Sequence, residues 1–185
     1  FNRKPEWAIV SLYGSFAKTY KGHGTDVAII AGLLDFDTFD TRLPEAFDIA
    51  KKENLKVTFI EEEAVVDHPN TARIRMCDSE GEMELVGISI GGGKIEILEL
   101  NGFELRLSGH HPAILVVHDD KFGAIASVSN VLASHQINIG HMEVSRKEVG
   151  STALMTIEVD QNISQDILDE ISQLDHVTRV TKIAD

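Results

Sequence analysis

VVHDDKFGAIASVSNVLASHQINIGHMEV, residues Val116–Val144, is the stretch whose reading decides the fold. It runs from the end of an apolar strand through a helical stripe and into a second strand. Ala113 to His118 (AILVVH) is short and apolar and reads as a strand. Phe122 to His135 reads as a helix with Ile125, Val128, Val131 and Leu132 on one stripe. Beyond it, Ile137 to Ser145 and Thr152 to Asp160 read as strands, the second placing Ala153, Met155, Ile157 and Val159 on one face. Ser164 is the expected N-cap of another helix with Ile167, Leu168, Ile171 and Leu174 inward, and Val177 to Ile183 closes the pattern as a strand. The order is β, α, β, β, α, β.

That order is the ferredoxin-like split βαβ arrangement. Immediately upstream, LSGHHPA (Leu107 to Ala113) carries glycine, histidines and a proline between apolar runs and is the expected linker. Before it, KVTFIEE, TARIRMC, EMELVGISI, KIEILEL and FELRLS alternate as strands, separated by DSEG, GGG and NG turns. Trp7 to Tyr13 reads as a buried strand, followed by a polar glycine-bearing stretch. Helices are expected from about Thr25, as N-cap, to Leu34 and from about Pro44 to Asn54. The fold class expected is therefore α+β. N-terminal helices pack on a largely antiparallel sheet over residues 1–109, and a βαββαβ unit follows over residues 112–185.

Composition limits the partners. Apolar residues make up 43% of the 185, enough for a real core, and the formal net charge of -13 disfavours nucleic acid and anionic membrane surfaces. Cys77 is the single cysteine, so no internal disulfide forms and no iron–sulfur cluster or zinc can be held by this chain's thiolates alone. A reducing cytoplasm is the expected compartment. No apolar run approaches the roughly 20 residues of a membrane helix.

The Val116–Val144 run resembles an ACT domain, whose hallmark is a glycine between the first strand and first helix; Gly123 occupies that position. Glycine lets the loop turn tightly and lets backbone N–H groups approach a carboxylate. The likeness to serine-sensing ACT domains of phosphoglycerate dehydrogenases implies that His118, Asp120, Gly123 and Asn138 bind a small amino-acid effector and that the unit pairs as a homodimer. Those relatives carry asparagine where this chain has Asp120, a group suited to an ammonium. On the residues alone, His118 and Asp120 equally read as solvated at a strand end, and Asn138 as a turn residue.

YGSFAKTYKGHGTD (Tyr13–Asp26), DHPNTARI (Asp67–Ile74) and GISIGGGKI (Gly87–Ile95), in this order and followed by an ACT-like unit, resemble the β subunit of iron–sulfur L-serine dehydratases. The resemblance implies elimination of water from L-serine to give pyruvate and ammonia. It also implies an α subunit that holds a [4Fe-4S] cluster, with no metal on this chain. It places His23, Thr25 and Asp26 in catalysis, and Ser15, Thr19, Asn70, Gly91, Gly92 and Gly93 around the substrate. Read without the resemblance, His23 is a loop histidine, and Ser15, Thr19 and Asn70 are turn or cap residues. The GPSSSHT run of the family is absent, which implies an N-terminally truncated chain, inactive alone. Lys94 is followed by Ile95, so SIGGG is no phosphate loop. Glu61 to Glu63 reads as a solvated strand end. The competing reading is a non-enzymatic amino-acid-binding regulatory module like that of phosphoglycerate dehydrogenases.

Overall fold

The computed structural model describes residues 4–109 and 111–183. His110 of the expected linker, and the outermost residues of both expected domains, lie outside the described residues. The chain divides into compact units Phe1–Gly93 and Lys94–Asp185.

In the first unit, β1 (Trp7–Leu12) alternates in burial because Ala8, Val10 and Leu12 face the helices while Trp7, Ile9 and Ser11 face the other way. It pairs in parallel with β2 (Lys56–Glu61) and antiparallel with β3 (Thr71–Asp78), which pairs antiparallel with β4 (Gly81–Gly91). The strand order is β2-β1-β3-β4. The helical layer is α1 (Gly14–Thr19), α2 (Thr25–Leu33) and α3 (Ala46–Lys52), the last entered through a 3-10 turn, Leu43–Glu45, with Pro44 inside it. Ile30, Ala31 and Leu33 of α2 and Ala46 and Ala50 of α3 pack with Ala8 and Met76. Val10, Leu12 and Ala72 pack with Ala17 and Tyr20, whose ring stacks on Phe59 at 5.6 Å.

Local details differ from the sequence reading. Within the polar stretch after β1 a short helix, α1, forms where Ser15 and Phe16 find an acceptor outside the helix. The N-cap of α2 is Gly24, in the left-handed region at φ 69, and Thr25 is already helical. A glycine takes this conformation at little steric cost.

In the second unit, β5 (Lys94–Leu100) and β6 (Phe103–Leu107) form a hairpin. β7 (Ala113–Asp119), β8 (Ile139–Arg146), β9 (Thr152–Val159) and β10 (Val177–Ile183) form an antiparallel sheet of order β10-β7-β9-β8. α4 (Ala124–Ser134) and α5 (Gln165–Ser172) cover one face, where Val128, Val131, Leu132, Ile167 and Ile171 meet Ile114, Val116, Met155 and Ile157. The hairpin covers the other, with Leu105 and Leu107 against Ala113, Leu115 and Leu154. The central strands β7 and β9 are thus buried on both faces. This packing is why the compact units part at Gly93 and Lys94 rather than at the Leu107–Ala113 linker. α4 starts at Ala124, not Phe122, because Gly123 at φ 89 ends the loop and leaves Phe122 in solvent. Ser164 sits at the N-cap of α5 without a side-chain cap bond.

Candidate functional site

The runs around Tyr13, Asp67 and Gly87 meet at one end of the first unit's sheet, where β1 and β4 finish and β3 begins. Tyr13 N–H donates to Thr71 O at 3.0 Å, and Ser15 and Phe16 N–H both donate to Pro69 O, at 2.6 and 3.3 Å. Gly14 makes this possible. A Cβ there would lie 2.7 Å from Pro69 O and 2.9 Å from Pro69 Cα, and φ is +55. The HPNT turn is closed from within, as the Thr71 hydroxyl donates to His68 O at 2.6 Å and Asn70 N–H donates to His68 Nδ1 at 3.2 Å. Ser89 N–H then donates to Asn70 O at 3.0 Å, and the Asn70 amide nitrogen reaches Ser89 O at 3.5 Å. Ser15, Asn70 and the end of β4 are therefore one assembly. Gly91, Gly92 and Gly93 leave it at φ 89, 63 and 75, with nothing within 4 Å of where a Cβ would stand. The backbone there is open to a ligand or another chain.

His23, Thr25 and Asp26 sit apart, at the start of α2. His23 is exposed, its N–H donating to Thr19 O at 3.1 Å, and among the described residues no hydrogen bond joins these side chains to the Asn70 assembly. Three of the first N–H groups of α2 are already satisfied: Thr25 by Tyr20 O, Val27 by Asp26 Oδ1 and Ala28 by Gly24 O. Thr19 spends its hydroxyl on Ser15 O, inside α1. A cavity of about 580 Å³ beside Gly14 and Pro69 is lined by Lys18 and Glu61–Val66. The acidic run is thus not uniformly solvated, since Glu62 is half-buried and accepts from the Ser11 hydroxyl at 2.8 Å. A second cavity, about 950 Å³, is mainly apolar (Ile29, Leu33, Ile74, Met76, Met83) and is lined by none of the candidate residues.

In the second unit, His118 is 2% exposed. Its Nδ1 lies 2.7 Å from Asp119 O and so donates to it, and its buried Nε2 has no hydrogen-bond partner among the described residues. Asp120 accepts from Arg146 Nη1 and from Gly150 N–H, each at 2.9 Å, tying the β7–α4 loop to the β8–β9 turn. The Gly150 N–H and then the Arg146 guanidinium hold its carboxyl below the usual carboxylate range. Asn138 lies at the other end of the sheet. β7 and β8 both run antiparallel to β9, with Asp119 opposite Thr152 and Ile139 opposite Val159. Asn138 is occupied there by Asp160 at 2.6 Å and Gln161 at 2.7 Å. Within one chain, His118, Asp120 and Gly123 come together and Asn138 does not join them.

Known proteins share both halves. Over all 185 residues the chain is 68% identical to a Bacillus subtilis (strain 168) protein named Probable L-serine dehydratase, beta chain, of which it covers 84%. It is 32% identical over 169 residues to the L-serine dehydratase beta chain of Peptoniphilus asaccharolyticus, covering 90% of this chain and 76% of that one. The chain belongs to the L-serine dehydratase beta-chain family. Residues 113–176 match the ACT domain family. A Synechocystis D-3-phosphoglycerate dehydrogenase is 25% identical over 89% of this chain but only 30% of its own length.

The iron–sulfur cluster implied by the resemblance does not fit the residues of this chain. Cys77 is its single thiol, half-buried and donating to Asp78 O, and the described residues contain no group of three or more His, Cys, Asp or Glu placed to hold a metal. Among the described residues no helix is long and apolar enough to cross a membrane. Two residues of the assembly, His68 and Ser89, escape a reading of the sequence. Only the sheet register, with Thr71 opposite Ile88, brings Ser89 beside Asn70.

Proposed function

We propose that this chain is the β subunit of an L-serine dehydratase and that its first unit supplies substrate-orienting groups to a partner α subunit. The observation that carries this reading is the convergence of Ser15, Asn70 and the Gly91–Gly93 segment on one sheet end, held by bonds to Pro69 O and Asn70 O. Conversion of L-serine to pyruvate and ammonia needs groups that hold the amino acid's carboxylate and ammonium while a proton and a hydroxyl leave. Amide and hydroxyl groups on a rigid turn suit that task. His23, exposed on the loop before α2, is the candidate proton-transfer group, with Thr25 and Asp26 beside it. The [4Fe-4S] cluster belongs to the α subunit, since the thiols it requires are absent from this chain. The compartment proposed is the cytoplasm. The domain division proposed is 1–109 and 112–185; the β5–β6 hairpin packs on strands of the second of these.

The second unit is proposed to bind a small amino-acid effector between two copies. The unpartnered Nε2 of His118 and the open backbone at Gly123 support this. A two-fold axis normal to the sheet would set exposed β8 edges antiparallel, bringing Asn138 of a second copy to the His118 end.

Anaerobic reconstitution with the α subunit tests the enzymatic reading. Pyruvate should form from L-serine only when both chains are present, and His23→Ala should lower kcat by about 10²-fold or more if it moves the proton. Equal turnover by the α subunit alone would favour a purely regulatory module. Calorimetry of the whole chain with a panel of amino acids tests the effector site, where silence would leave the second unit a dimerisation device.

A further inference from the structure

Asn70 owes its place to the residue two before it. The HPNT turn has few backbone donors, because Pro69 has no N–H. The N–H of Asn70 is taken by Nδ1 of His68 at 3.2 Å. An imidazole nitrogen accepts only when it carries a lone pair, so the proton of the neutral ring sits on Nε2. The three carbonyls of the turn each have a separate task. His68 O accepts from the Thr71 hydroxyl, Pro69 O from Ser15 and Phe16, and Asn70 O from Ser89. Removing the Nδ1 acceptor would strand a half-buried N–H at the residue whose amide lies against Ser89.

We infer that His68 is a positioning residue for the dehydratase reaction: by accepting the Asn70 N–H it fixes the Asn70 amide, whose Oδ1 is left to accept from the ammonium or hydroxyl of a bound amino acid. The inference rests on the reading that the first unit serves substrate. It assigns His68 no contact with substrate, so its effect must pass through Asn70.

Steady-state kinetics of the holoenzyme, reconstituted anaerobically with the α subunit, separates these ideas. His68→Leu should raise KM for L-serine about tenfold with kcat within about twofold, the pattern of lost uniform binding. His68→Asn, whose Oδ1 stands near the place of Nδ1, should restore KM to within about twofold of wild type. In an Asn70→Ala background, His68→Leu should cost nothing further, because residues acting through one another are not additive. If His68→Leu does not fold, His68→Gln, with its acceptor one bond further out, should show the same rise in KM and the same non-additivity. Independent, multiplying effects of His68 and Asn70 substitutions, or unchanged KM in His68→Leu, would overturn the inference while leaving the dehydratase reading intact. Failure of the wild-type pair to form pyruvate would take down both.

Discussion

In the first unit Ser15, Asn70 and the end of β4 are gathered by backbone N–H donors meeting on Pro69 O and Asn70 O, whereas in the second the β7–α4 loop is held by a side-chain carboxylate, Asp120, against Arg146 and the Gly150 N–H. The difference has a physical origin. At this turn the backbone of residue 14 can lie against that of Pro69 only because a Cβ is missing, and Gly14 provides that gap. The second unit has a sheet buried on both faces, so its loops sit on a scaffold already fixed by packing and need only be tied at their tips. A site of the first kind is broken by adding atoms, and one of the second kind by removing charge.

The scaffold of the second unit sets the largest effect. Ile157 is fully buried in its core, and Ile157→Ala should cost about 2–5 kcal/mol through lost transfer energy and the cavity left behind. Denaturant unfolding followed by hydrogen exchange should show the loss in residues of β7–β10 and not in β1–β4. A uniform loss across both would mean that the compact units do not unfold separately. Next comes Gly14→Ala, expected to cost roughly 1–3 kcal/mol from its positive φ alone, with more from contact on the Pro69 backbone. Gly92→Ala is the control, since it shares the positive φ but meets nothing within 4 Å. If the two substitutions cost the same, steric approach to Pro69 is not what makes Gly14 necessary.

These effects follow how legibly the chain writes its fold. The βαββαβ order can be read directly because Ala153, Met155, Ile157 and Val159 alternate and Val128, Val131 and Leu132 fall on one helical stripe. The helix α1 cannot be read that way. It is one and a half turns long, has no side-chain cap, and owes its N-terminus to Pro69, more than fifty residues away. The Leu107–Ala113 segment has every local mark of a linker, yet Leu105 and Leu107 before it pack on Leu115 and Leu154 after it, a long-range choice that turn chemistry does not encode. Asn70 stands out in the sequence as a turn asparagine. His68 does not, because nothing local distinguishes a histidine whose Nδ1 accepts from one facing solvent. Asp120 and Asn138 are legible as polar residues at strand ends, but their bonds to Arg146, Gly150, Asp160 and Gln161 of this same chain are not.

The smallest expected effect is at Asp120, and its sign with pH is what makes it informative. The Gly150 N–H and the Arg146 guanidinium hold its carboxyl below the usual range, so the folded chain binds that proton more weakly than the unfolded chain, whose value is about 3.9. The stabilisation is therefore present above that value and is lost as pH falls through the lower, folded one. Asp120→Asn keeps an oxygen for Gly150 but loses the ion pair with Arg146. Its thermal midpoint should lie slightly below wild type at neutral pH, and the two should converge as the solution is acidified. High salt should also narrow the gap, because Arg146 is half exposed and its charge is screened. A gap that persisted unchanged through acid and salt would show that the loop is held by the shape of the turn and not by the charge. The contrast between a backbone-built end and a charge-tied end would then fail at its second member.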